Sequence, residues 1–178
     1  MKEWKPRAAR WLRRGIALVV LLGLAAWAWQ QPYAVVARES WKLARLPVPT
    51  AIQVPVQGIA PRQIAATFGA PRGRDRKHHG VDIFGKRGTP VLAATQGVVA
   101  VRDSGLGGRQ VWVIGPGGQR HYYAHLQDWV PGLAYGRIVQ AGDVLGFVGD
   151  SGNARGTPPH LHYGIYGSDG PLDPLPLM

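Results

Sequence analysis

The chain has no cysteine, and that single absence excludes disulfide staples, thiolate-bound zinc and a cysteine nucleophile together. Serine offers little for nucleophilic catalysis: Ser104 and Ser151 lie among glycines, with no base nearby in sequence. After residue 42 the only lysines are Lys77 and Lys86, neither at a hairpin tip, so a lipoyl- or biotin-type carrier domain is excluded. The glycine-rich stretch 105–108 lacks the following helix that a phosphate loop needs, and reads as a hairpin turn. Acidic residues are also scarce, 10 against 21 Lys and Arg, for a net charge of +11.

The distribution of that charge matters more than its size. Residues 1–45 carry nine Lys/Arg against Glu3 and Glu39, and the rest of the chain carries twelve against eight. Most of the excess therefore belongs to an N-terminal arm. A milder basic cluster, Arg72, Arg74, Arg76, Lys77, Lys86 and Arg87, suits an anionic polymer. Aromatic residues do not interleave with it, as a stacking surface for nucleic acid requires, so no nucleic-acid partner is expected.

What is present divides the chain in two. Lys2, Lys5, Arg7, Arg10, Arg13 and Arg14 precede an apolar run over 15–29, and no charge appears from Gly15 to Ala37. As a helix the strict run is roughly 22 Å long, and residues 30–37 extend it through an interface. The basic flank predicts that the N-terminus stays in the cytoplasm, with Trp27 and Trp29 in the interfacial belt. We assign 1–14 as a cytoplasmic basic arm, 15–33 as a transmembrane signal anchor and 34–55 as a juxtamembrane linker containing a short helix over 38–45. A cleaved signal peptide, with Ala26 and Ala28 at the cut, is the alternative. Pro47, Pro49 and Pro55 favour extended backbone in the linker.

From residue 56 to 178 the pattern changes to short apolar runs bounded by glycine. Residues 90–95, 97–102, 110–114, 120–125, 143–148 and 160–166 read as strands, and only 63–68 suggests a helical turn. The fold class is mainly β, a compact antiparallel sandwich or partly closed barrel preceded by one transmembrane helix.

All six histidines lie in this β region. In a strand, His160 and His162 share a face, because side chains repeat every two residues. His78 and Asp82 pair an imidazole with a carboxylate four residues apart. Imidazole nitrogen and carboxylate oxygen are what catalytic zinc takes, and three protein ligands leave a fourth position open. His78, Asp82 and His162 would supply that set, with His160 unligated beside it and His125 approaching from a neighbouring strand. His79 and His121 are read as non-functional.

Several segments then fall in a telling order. They are 68–72 (Phe-Gly-Ala-Pro-Arg), 78–84 (His-His-Gly-Val-Asp-Ile-Phe), 88–91 (Gly-Thr-Pro-Val) and 94–99 (Ala-Thr-Gln-Gly-Val-Val). Next come 123–126 (Tyr-Ala-His-Leu), 142–146 (Gly-Asp-Val-Leu-Gly), 149–152 (Gly-Asp-Ser-Gly), 159–162 (Pro-His-Leu-His) and Asp173-Pro174. Together they resemble the M23 zinc peptidases, the lysostaphin and LytM-like endopeptidases of the bacterial cell wall. The resemblance implies one Zn2+ per chain on His78, Asp82 and His162, with His160 as general base. It also implies His125 as hydrogen-bond donor to the oxyanion, and Arg72 and Tyr123 as substrate-binding residues. The implied substrate is the peptide stems of peptidoglycan. The implied location is the inner membrane, single-pass, with the catalytic domain facing the periplasm and cell wall. A regulatory protein partner is compatible with this picture, and an inactive relative that binds or activates other wall hydrolases is the alternative function. There are two departures from the family pattern. Gly164 stands where many relatives have glutamate, and Pro71 stands where the family's arginine often lies, which leaves Arg72 as its substitute and Arg74 and Arg76 as rivals.

Overall fold

The computed structural model describes residues 5–73 and 75–178; Lys2, Glu3 and Arg74, named above, lie outside them. The chain divides into two compact units, residues 1–38 and 39–178.

The first unit is dominated by α1 (Lys5–Trp29). Within it Ala9–Trp29, 21 residues of mean hydropathy 1.5, forms a helix long and apolar enough to cross a membrane. Its leucines and valines are exposed. A break at Gln30 and Gln31 separates it from α2 (Pro32–Ala44), which starts with proline at the position where a missing N–H costs nothing. The helix expected over 38–45 is thus the second half of a longer one.

Residues 39–55, read from sequence as connector, begin the second unit. Leu43 is buried, the Ile52 N–H donates to the Leu177 carbonyl (2.7 Å), and Gln53 Nε2 donates to the Ala93 carbonyl (2.7 Å). Expected helicity at 63–68 is replaced by a single 3-10 turn, Pro61–Gln63. Proline starts that turn, the Gln63 side chain accepts the Ala60 N–H (2.8 Å), and Ile64 then turns extended to reach the core.

The strands are β1 (Pro71–Arg72), β2 (Arg76–Lys77), β3 (Val81–Phe84), β4 (Pro90–Leu92), β5 (Gly97–Asp103), β6 (Arg109–Ile114), β7 (Arg120–Ala124), β8 (Leu126–Trp129), β9 (Ile138–Val139), β10 (Val144–Val148), β11 (His160–Gly167) and β12 (Gly170–Leu172). The large antiparallel sheet runs β12-β11-β7-β6-β5-β9, with β3 also pairing β11. A three-stranded sheet, β4-β10-β8, packs against it through one shared apolar core, and β1-β2 forms a separate hairpin. The arrangement is sandwich-like and is not closed into a barrel.

Strand alternation decides which side chains reach the site. On β3, Val81 and Ile83 are buried while Asp82 and Phe84 face outward. On β11, Leu161, Tyr163 and Ile165 enter the core, which sends His160 and His162 to the other face. In register, His162 lies opposite Asp82 on one neighbour and Ala124 on the other. Gly80 permits this close fit: a Cβ there would lie 2.3 Å from the Tyr163 carbonyl oxygen.

Candidate metal centre

Three donor atoms converge on the open face of β3 and β11. His78 Nε2 lies 2.9 Å from His162 Nδ1 and 3.1 Å from an Asp82 carboxylate oxygen, and that oxygen lies 3.0 Å from His162 Nδ1. The triangle is nearly equilateral. It brings together the three residues that the sequence paired as ligands, which are 80 and more positions apart along the chain between His162 and the other two.

Second contacts fix how each donor is presented. His78 Nδ1 lies between the Thr67 carbonyl oxygen (2.9 Å) and Arg72 Nη2 (3.2 Å), which turns Nε2 toward Asp82 and His162. The Thr67 carbonyl thereby helps to orient the ring of a candidate ligand. Arg72 ion-pairs with the other oxygen of Asp82. Burial alone would raise the Asp82 carboxyl, but hydrogen bonds from His162, His78 and Arg72 outweigh it and hold the group well below the carboxylate range. His162 is lowered, chiefly by burial and against the pull of Asp82. Two imidazole nitrogens and an ionised carboxylate thus face one another within mutual contact. The donor set, two nitrogens and one oxygen, fits a catalytic metal site with an open position.

Two more histidines stand beside the triangle. The His160 ring centroid is 5.1 Å from that of His125, and His125 is 6.0 Å from His162. The arrangement repeats: His160 Nδ1 faces the Pro158 carbonyl (2.8 Å) and His125 Nδ1 faces the Ser151 carbonyl (2.9 Å). Each ring therefore turns its Nε2 away from the backbone. Burial pushes the His125 imidazole down to about 4, and the Ser151 carbonyl only partly offsets it, so this ring is neutral at pH 7.

His125 reaches the site by breaking the strand rule. Regular alternation along β7 would place it with His121 and Tyr123 in the core. Instead it has φ +66°, the only positive value at a non-glycine residue among those described, and its side chain turns over to the site. The Gly107-Gly108 turn supports it: the His125 N–H donates to the Gly107 carbonyl (2.9 Å). A Cβ on Gly108 (φ +60°) would come within 2.3 Å of the Gly152 nitrogen.

The other sequence assignments separate. His121 is fully buried, 2.7 Å from the Tyr163 hydroxyl, and lies outside the site. His79 is exposed on the cavity rim and contributes no donor to the triangle. Tyr123 needs correction as a substrate-binding residue. Its side chain is 0% exposed on the core face and its hydroxyl accepts the Ala94 N–H (2.9 Å). Tyr122, one residue earlier and on the open face, lines the cavity in its place. At Gly164 a Cβ would meet the His79 carbonyl oxygen at 2.7 Å and the Tyr166 ring at 3.2 Å, so a glutamate does not fit there without rearrangement. The carbonyls of Thr67, Ser151 and Pro158 carry no sequence signal, since every residue has one.

The triangle sits in a cavity of about 630 Å3, bounded on one side by the β1-β2 hairpin and on the other by Leu106, Gly107 and Asn153. This combination defines a β-sheet protein with a His-Asp-His cluster that could hold a metal ion, set in an open groove. The family model for Peptidase family M23 matches residues 76–174, more than half of the chain, and the protein belongs to that family. It is 38% identical over 123 residues to an L-Ala--D-Glu endopeptidase of Bacillus subtilis (strain 168), a match covering 62% of this chain and 38% of the relative. The chain thus spans under half the length of that curated relative. Among solved structures, the catalytic domain of the antimicrobial peptidase lysostaphin from Staphylococcus simulans superposes with a TM-score of 0.56 at 32% identity, covering 64% of this chain and 89% of that one. A zinc containing peptidase from Vibrio cholerae gives 0.54 at 26% identity, over 74% of this chain and 38% of the other.

Proposed function

We propose that this protein is a zinc-dependent endopeptidase that hydrolyses peptide cross-links of cell-wall peptidoglycan. The observation that carries the reading is the near-equilateral triangle of His78 Nε2, Asp82 and His162 Nδ1, open to a groove that two further histidines flank. One Zn2+ held by these three residues would supply Lewis-acid polarisation of the scissile carbonyl and a water acidic enough to ionise near neutral pH. His160, its Nδ1 proton held by Pro158, offers Nε2 as the general base that takes the proton of the attacking water. His125 is neutral and presents a lone pair, so it must gain a proton before it can donate to a developing oxyanion. Arg72 acts through Asp82, keeping that carboxylate ionised and oriented, rather than through direct substrate contact.

The same reading extends to location. With residues 1–14 as a cytoplasmic arm, 15–33 as an anchor and 34–55 as a juxtamembrane linker, α1 would hold the peptidase, residues 56–178, at the outer side of the inner membrane, facing the periplasm and the wall. Support comes from its length, its apolar composition and its basic flank.

The test is incubation of the zinc-loaded full chain, in detergent micelles, with purified muropeptides, followed by mass spectrometry. Cross-linked dimers should be cut, and chelator or His162→Ala should stop the reaction. Dimers left intact by a chain with metal bound would overturn the proposal and favour a non-catalytic role.

A further inference from the structure

The two walls of the groove differ in charge. On the hairpin side lie Arg72, Arg76, Lys77 and Asp75; the opposite side, Leu106, Gly107 and Asn153, carries none. Arg72 is taken up by Asp82. Arg76 and Lys77, both exposed, make no ion pair with a described residue, and Asp75 alone offsets them on this wall. A one-sided excess of positive charge beside the reacting centre discriminates between substrates by whether they carry a negative group on that side. Building on the proposed peptidase reading, we infer that Arg76 and Lys77 make the groove selective for peptides bearing a free carboxylate on a residue next to the scissile bond, over peptides in which that position is neutral.

Geometry makes the preference directional. The substrate backbone must pass over the triangle of His78, Asp82 and His162. A side-chain carboxylate that points toward β1-β2 comes to the stretch of lining that holds Arg76 and Lys77, and one that points the other way comes to Leu106 and Gly107, which carry no charge. The carboxylate is therefore read together with the orientation of the chain. Both cations are solvated, so each pair is weak alone and sensitive to salt, and two of ordinary strength multiply to about tenfold in affinity.

The experiment uses two synthetic peptides identical except that one carries a carboxylate and the other its carboxamide beside the susceptible bond. Affinity is measured by calorimetry with the zinc-loaded full chain carrying His160→Ala, so that substrate is not consumed. The acid should bind about tenfold tighter at low salt, and the gap should close as salt rises. Arg76→Gln with Lys77→Gln should abolish the gap and leave carboxamide binding unchanged, while Asp75→Asn should widen it. Equal affinity for the two peptides, or a gap that survives the double substitution, overturns the inference. Preferential binding of the acid without turnover by the parent chain would refute the peptidase reading and leave this one standing. Cleavage of both peptides with equal affinity would do the reverse.

Discussion

His121 gives the sharpest test of the energetics, because it is a titratable group sealed in the core. Its imidazole is fully buried against Tyr163, its Nε2 has no hydrogen-bond partner, and burial pushes its pKa down to about 4. In the unfolded chain the same ring titrates near 6.5. Between those values the unfolded state binds a proton that the native state refuses, so stability falls as pH falls. The contribution is fully present above pH about 6.5 and is lost progressively down to about 4. A gap of about two and a half pKa units corresponds to about 3 kcal/mol. The perturbation is His121→Gln, which cannot titrate but can still bond the Tyr163 hydroxyl. Urea unfolding of both full chains, in chelator so that metal release is common to each, gives stability at pH 7.5 and at pH 4. The parent should lose about 3 kcal/mol more than the variant over that interval. Parallel stability curves would refute the argument and place the proton in the native core without cost.

Replacement of His78, Asp82 or His162 by alanine should each reduce bound zinc from about one per chain to near zero after dialysis, measured by elemental analysis. His125→Ala should keep its zinc while turnover of muropeptides drops by about 10²–10³-fold, the usual cost of a lost oxyanion donor. Gly108→Ala should destabilise the chain by about 2–4 kcal/mol by denaturant titration, since it combines a left-handed φ with a clash against Gly152, and activity should fall as Ser151 shifts beneath His125. Saturating zinc at about 100 times its dissociation constant should stabilise the chain by about 2.7 kcal/mol, seen as a raised melting temperature that His162→Ala abolishes.

Much of this centre was legible because its chemistry rides on strand period. The spacing of His160 and His162 puts both on one face, and the His78–Asp82 pairing survives as a real contact. The long strands were visible for the same reason, as apolar runs between glycines. Short strands such as Leu126–Trp129 and Ile138–Val139 were not, because two to four residues with no alternation give no periodic signal. Tyr123 came from the resemblance alone, and it precedes His125 by two, which in a regular strand would put both on one face. The turned backbone at His125 separates them, and nothing in the residue types announces that reversal. Connector residues 39–55 were underestimated for a different reason: their prolines signal extended chain, but not that extended chain lies along the sheet and bonds to Ala93 and Leu177.

The position of β11 has a consequence for how an ion would leave. His162 lies where its strand is flanked on both sides, by Asp82 and by Ala124, so its amide belongs to the part of the sheet that exchanges hydrogen slowly. His78 belongs to no strand and is held by Gly69 and Ala70 through its backbone and by Thr67 through its ring. Were a metal held here, its loss need not await global unfolding: local movement of the backbone around His78 would open one corner of the site while the two strand-borne donors stay in place, so its residence time would follow the least anchored of the three.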